Sequence, residues 1–410
     1  MVDVIVVGGG AAGMMAAATC AERGQRTLLL ERGPYTGRKL RITGKGRCNV
    51  TNDCSVRDAV AAFPTGGRFL TSALYAFTPQ NTMAYFESLG VPLKVERGNR
   101  VFPVSDKAAD IVEALRRCMK ERGVTVRQGR ATAVTVADGR VTGVETEDRL
   151  YDSGAVILAT GGVSYPLTGS TGDGYDMTRA LGHTVIAPKP SLVPLESSDA
   201  DCREMQGLAL KNVRLTVTKG EKKPVYSEQG ELLFTHFGVS GPLVLSASAH
   251  MRELGRERYR FSIDLKPALD ENKLDSRILR DFEKFSNRDF GNSLSELLNR
   301  LMIPVVVRRS GIPADWKVHS VTREQRKQLI RVIKDFTVEI TGFRPIEEAI
   351  VTSGGVSTKE IDPRTMDSRL VRGLYFAGEL IDADAYTGGF NLQMAWSTGR
   401  MAGLHAQRGD

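Results

Sequence analysis

Residues 2–33 read VDVIVVGGGAAGMMAAATCAERGQRTLLLERG. Val4–Val7 is a short apolar, β-branched run, the pattern of a strand buried on both faces. Gly8, Gly10 and Gly13 follow in G-x-G-x-x-G spacing. Residues 11–23 are good helix formers, and Gly24 stops them. Thr27 to Leu30 predicts a second buried strand, closed by Glu31. Strand, glycine turn, helix, strand and acid together make a dinucleotide-binding unit, which a glycine-rich turn alone would not. Gly8 permits the tight turn, Gly10 lets the backbone approach a pyrophosphate, and Gly13 lets helix and strand pack closely. The helix start offers free N–H groups to phosphates. Glu31, 18 residues past Gly13, can accept hydrogen bonds from ribose hydroxyls and would repel a 2′-phosphate. The motif by itself suits NAD and FAD equally.

Directly after this unit comes GRKLRITGKGRCNVTN, residues 37–52, with Arg38, Lys39, Arg41, Lys45 and Arg47 among three glycines. It is not a phosphate-binding loop of the Walker A kind, because Lys39 stands where the first glycine is needed. Its place beside the nucleotide crevice predicts a cofactor clamp. Arg38 and Lys39 would meet phosphates or adenosine, and Arg47 and Cys48 would lie near a flavin edge. Further on, residues 123–146 alternate apolar and polar residues around Asp138-Gly139, a hairpin signal. AVILATGG, residues 155–162, is another buried strand running into a glycine turn. A meander leading to such a strand suits the flavin-binding variety of the fold.

The next text changes character. The pattern predicts a β-rich inserted domain over 189–269 and a helical one over 270–341. In the latter, Thr322 and Gln325 form a capping box, and Leu329, Val332, Ile333 and Phe336 share one helix face. The charges opposite read as a solvated surface. From 342 to 410 the glycine-rich α/β text returns, with LYFAGE and TGGFNLQMAWSTGRMAG. The second of these is a glycine turn opening a helix, whose N-terminus could stabilise negative charge on a reduced flavin. The fold class is therefore α/β, a Rossmann-like cofactor domain (1–188 and 342–410) interrupted by the two insertions. No second G-x-G-x-x-G follows a strand, so a nicotinamide has no Rossmann domain of its own.

The 410 residues, 41% hydrophobic and 25% charged, are ordinary for a folded protein of more than one domain. Net charge is +8, a weak pointer to anionic partners over this length. The five cysteines show no C-x-x-C pair, so neither a metal knuckle nor a redox pair is expected, and Cys48 reads as a small packing residue. An odd cysteine count and the absence of a signal peptide predict reduced thiols and a cytoplasmic location. No uninterrupted apolar span argues for a membrane, and the Asn49-Val50-Thr51 sequon has no meaning without secretion.

Taken together, VIVVGGGAAGMMAA, GRKLRITGKGRCNVTN, GNRVFPVSDKA, LATGGVSYPLTGSTGDGY, LLFTHFGVSGP and GLYFAGELIDADAYTGGFNLQMA resemble one family. They are similar, from about residue 2 to 404, to the YhiN/BaiN-type flavoproteins. One departure is Lys45, where many relatives carry a third glycine. The resemblance implies FAD, a two-part Rossmann-like domain, and a second glycine loop that belongs to the flavin domain. The cofactor contacts it implies come from Gly8, Gly10, Ala11, Ala12, Gly13, Glu31, Arg32, Arg38 and Lys39. Gly46, Arg47, Cys48, Ala131, Thr160, Gly161, Gly378, Glu379, Gly389, Phe390 and Asn391 complete the set. No metal is expected.

The family is not uniform in reaction. Some members resemble bile-acid reductases acting on conjugated 3-oxo steroids, and others resemble oxidases of aminoacetone. The first expectation for this chain is an alkene reductase acting on an apolar carbonyl compound such as a 3-oxo bile acid, with NAD(P)H as transient electron donor. Its site must polarise the carbonyl and protonate the α-carbon. Tyr165, His236 and Tyr386 are the polar candidates, and each also reads as a packing residue with its polar group satisfied. No catalytic residue is assigned. An amine oxidase and a flavin-dependent RNA modifier are the alternatives. The basic residues of the glycine loop lie inside the nucleotide fold, so no nucleic-acid partner is expected. Oligomeric state is left open.

Overall fold

The computed structural model describes residues 2–220 and 223–407; residues 1, 221–222 and 408–410 of the expected domains lie outside the described residues. The chain divides into two compact units, 1–191 with 346–410, and 192–345.

The first unit is built on a parallel sheet. Its strands are β1 (Val4–Val7), β2 (Thr27–Glu31), β3 (Thr125–Gln128), β4 (Ala155–Leu158) and β5 (Leu374–Phe376). Their order is β5-β4-β1-β2-β3, with every pairing parallel. Val4 to Val7 and Ala155 to Leu158 are all buried, as strands covered on both faces must be. Helix α1 (Ala11–Glu22) makes the crossover from β1 to β2. The strand order reverses between β1 and β4, and ligands of open α/β sheets bind outside the carboxyl ends of the strands at such a point. The Asp138-Gly139 hairpin forms as expected, with φ of 51° and 71° at its two corner residues, the positive values that a tight two-residue hairpin turn requires. Gly8 through Gly13, the 37–52 loop and residues 374–405 all belong to this unit.

The second unit differs from the expectation of two separate insertions. Its seven-stranded sheet is antiparallel throughout. Strands Phe336–Val338 and Ile340–Phe343, which follow the helices in sequence, return to that sheet. Helices α2 (Glu271–Lys284) and α3 (Arg323–Lys334) therefore lie between strands of one sheet. Leu274, Ile278, Leu329 and Ile333 from the helices share a core with Phe234, Phe261 and Phe336 from the strands. One core makes one domain, so 189–269 and 270–341 fold as a single unit. The Thr322–Gln325 capping box is present, with Gln325 N–H donating to Thr322 Oγ1 at 3.3 Å.

Candidate cofactor site

Four segments remote in sequence meet at the carboxyl edge of the parallel sheet. The first is the glycine turn after β1. A Cβ at Gly8 would lie 2.5 Å from Ala159 O, and one at Gly13 would lie 1.8 Å from Gly8 O. Those positions admit only glycine because backbone meets backbone there. Gly10 is the opposite case: a Cβ on it would meet nothing within 4 Å. No side chain caps α1 at Gly10, and its first turn, which includes Ala11, Ala12 and Gly13, carries no acid. The positive end of the helix thus faces free space, the requirement of a phosphate site.

Glu31, at the end of β2, accepts the Gly9 N–H and the Gly33 N–H, both at 2.7 Å. It therefore fixes the glycine turn, and a carboxylate oxygen that accepts one bond can still accept another. Two buried hydroxyl oxygens beside this turn, Thr36 Oγ1 and Thr160 Oγ1, have no partner. Buried polar atoms are normally satisfied, so these orphans and the open Gly10 face fit a missing polar ligand. Gly161 follows Thr160 with φ of 76°. Ala131, 6% exposed, begins the meander at the corner where the Gly129 N–H donates to Glu31 O at 2.9 Å. Arg32 and Arg130 both pair with Asp173, at 3.1 and 2.9 Å.

The 37–52 loop crosses the same edge. Gly44, Lys45, Gly46 and Cys48 have φ between 57° and 83°, so the chain folds back on itself through left-handed backbone. Lys39 Nζ donates to Ser164 Oγ and to Glu379 Oε2, each at 2.7 Å, and Arg38 donates to Leu167 O. Glu379 also accepts the Thr352 N–H at 2.7 Å. Arg47 is held by Asp106 at 2.7 Å and by Glu96, with its guanidinium 4.1 Å from the Phe102 ring centre. Its charge is thus paired within the fold, by acids on and just after the 93–103 hairpin. Cys48 is fully buried, and burial pushes its thiol up to about 12. Such a thiol is inert. The Asn49 Oδ1 next to it is a further buried orphan.

The second glycine turn completes the site. A Cβ at Gly389 would lie 2.4 Å from Thr51 O, and Asn52 Nδ2 donates to Gly388 O at 3.1 Å. The two glycine-rich loops therefore touch. Gly389 opens helix α4 (Phe390–His405), which has no side-chain cap and no acid in its first turn. Asn391 closes the loop before it, exchanging bonds of 2.9 Å with Ala385 N and O. The Phe390 ring lies against Gly388. A Cβ at Gly378 would lie 2.8 Å from Ala12 Cβ, which seats the end of β5 against the start of α1.

Of the candidate acids, Tyr165 sits in this unit with φ of 51°, a strained value for a tyrosine. Its N–H donates to Glu347 O at 3.2 Å. The Tyr386 N–H donates to Ala62 O at 3.0 Å. His236 belongs to the other unit. It is exposed there, edge-to-face with Phe237 at 5.0 Å, and is not the core histidine that its flanking phenylalanines suggest. Nothing local in the sequence sets Thr36, Asn49, Ser164 and Thr352 apart; only the folded chain brings them beside the glycine turns.

The model of the HI0933-like protein Rossmann domain matches residues 2–405. The chain belongs to that family. It is 29% identical over 406 residues to a 3-dehydro-bile acid delta(4,6)-reductase of Clostridium scindens, with 98% of each chain covered. It is 31% identical over 396 residues to a ribosomal RNA dihydrouridine synthase of Escherichia coli, covering 97% of this chain and 96% of the relative. In fold it is similar to the 3-ketosteroid delta1-dehydrogenase of Sterolibacterium denitrificans, with a TM-score of 0.52 at 14% identity and 99% of both chains covered. This HI0933-like chain is an FAD-dependent oxidoreductase with a Rossmann-like FAD-binding domain. Among the described residues, no helix is long and apolar enough to cross a membrane.

Proposed function

We propose that the protein reduces a carbon–carbon double bond conjugated to a carbonyl group. The observation that carries this reading is the pair of full-length relatives. One is named for reducing a 3-dehydro bile acid and the other for making dihydrouridine. Both names describe hydrogen added across a double bond that a neighbouring carbonyl polarises. When bound and reduced by a donor such as NAD(P)H, the flavin would supply a hydride for the carbon remote from the carbonyl. The chain supplies the rest. The starts of α1 and α4 would hold its negative charge, Glu31 would take the ribose hydroxyls, and the orphaned oxygens of Thr36, Thr160 and Asn49 would find partners on it. Lys39 and Glu379 tie the 37–52 loop to the segment that follows β5.

The test is an anaerobic one. FAD-loaded protein, reduced by NADPH, is mixed with a 3-oxo-4-ene steroid, with uridine-containing RNA, or with oxygen. Return of the oxidised flavin colour with either double-bond substrate, and recovery of the saturated product, is the expected result. Reoxidation by oxygen alone, with a primary amine as the only reductant accepted, would sink the reading in favour of an amine oxidase.

A further inference from the structure

Residues 164–172 run from the glycine turn after β4 to the helix Asp173–Ala180 and cross the cofactor site on the way. Both ends are anchored. Ser164 is fully buried, and its Oγ accepts from Lys39 Nζ at 2.7 Å and donates to Glu379 Oε1 at 3.1 Å. Asp173 is held by Arg32 and Arg130, at 3.1 and 2.9 Å. Between these anchors the segment lies against the carboxylate that faces the ribose: a Cβ on Gly169 would come within 4.0 Å of Glu31 Oε1. It also folds back on the turn that carries the unpartnered Thr160 hydroxyl, since a Cβ on Gly161 would lie 3.1 Å from Ser170 Oγ.

What holds the middle of the segment is polar and sparse. No residue from Tyr165 to Gly169 is buried, and Leu167 is 88% exposed. Neither Tyr165 nor Leu167 joins a hydrophobic core of the described residues. Arg38 donates to Leu167 O and Arg32 to Thr171 Oγ1. The Thr168 N–H and Oγ1 both donate to Tyr165 O, at 2.8 and 2.7 Å, so that 165–168 is one small turn. Positive φ at Gly161, Gly169 and Gly172 marks the places where the backbone can swing. A segment with few buried apolar contacts and exposed hydrogen bonds opens at low cost. Opening would also release Tyr165 from left-handed backbone that does not favour it. The 37–52 loop is fastened differently, by buried bonds from Trp396 Nε1 to Val50 O at 2.9 Å and from Thr51 Oγ1 to Gln393 Oε1 at 2.6 Å.

We propose that residues 165–171 form a strap that closes over the adenosine end of FAD, latched by Arg38 and Arg32, and that the cofactor enters and leaves only when the strap opens. Arg32 and Arg38, expected from the sequence as cofactor contacts, act here on the strap. The proposal rests on FAD binding and not on the double-bond reading. The test follows flavin fluorescence as FAD joins the FAD-free full chain and as it leaves the loaded chain on dilution. Binding that waits for a conformational change is slowed in its association step. A latch holds the strap shut with or without FAD, so loosening it should raise the association and release rates together. R38M, and T171V at an exposed position that leaves folding untouched, should each raise both rates by about threefold or more. The dissociation constant, as the ratio of the two, should stay within about twofold of the parent's. Faster release with unchanged association would make Arg38 a direct cofactor contact and overturn the strap. Unchanged rates in T171V, or a parent that takes up no FAD, would overturn it as well. Neither rate involves a reducible substrate, so the strap and the double-bond reading fail independently.

Discussion

Gly10 and Gly8 stand two residues apart and are glycine for different reasons. At Gly8 a side chain collides with the backbone of Ala159. At Gly10 φ is −79°, ordinary for any residue, and the space around it is open. A side chain at Gly10 would therefore meet no protein atom, only a ligand seated on the start of α1. Gly10→Val should cost the FAD-free protein no more than about 1 kcal/mol, the loss of a favoured N-cap glycine. FAD affinity should fall at least tenfold. Urea unfolding of the FAD-free protein and titration with FAD separate the two; an unchanged affinity would mean that the open space is not the cofactor's. Glu31 is less clean a probe, since it also fixes the Gly9 and Gly33 amides.

At the scale of elements, α1 and α4 meet through small residues. A Cβ at Gly399 would lie 2.4 Å from Ala12 O, and one at Gly403 would lie 2.7 Å from Ala16 O. The helices approach so closely because neither has a side chain between them, and α1 is rich in alanine for the same reason. Gly399→Ala should destabilise the protein by about 1–3 kcal/mol, the usual cost of overpacking. It should also weaken FAD binding, because Ala12 lies in the first turn of α1. Equal denaturant midpoints for variant and parent would refute the packing account. Both helices were legible as elements, since each follows a glycine turn and contains good helix formers. Their contact was not, because a glycine inside a helix reads locally only as a weak point.

At the scale of the whole molecule, His183 joins distant parts of the first unit. It is buried, with Nε2 2.8 Å from Ser368 Oγ and Nδ1 3.2 Å from Glu360. Burial lowers its affinity for a proton below the ordinary value of 6.5, and Glu360 opposes that only in part. The unfolded chain therefore binds a proton that the folded one resists. The contribution of His183 to stability is complete above pH 6.5 and is lost as pH falls below it. Melting temperature should drop between neutral pH and the carboxylate range, and His183→Gln should flatten that drop. His250, also lowered chiefly by burial, leaves a residual slope. The parallel sheet, the glycine turn and the acid that follows it were determined by the sequence alone, because they depend on short-range geometry: strand burial, positive φ and helix starts repeat wherever those residues occur in that order. The union of the two insertions into one domain was decided only by tertiary structure, since Phe336–Val338 and Ile340–Phe343 pair with strands far back in the chain. So was the meeting of the 37–52 loop with Gly388 and Gly389. Contacts of that kind are set by how whole elements pack, and no local pattern of residues encodes them.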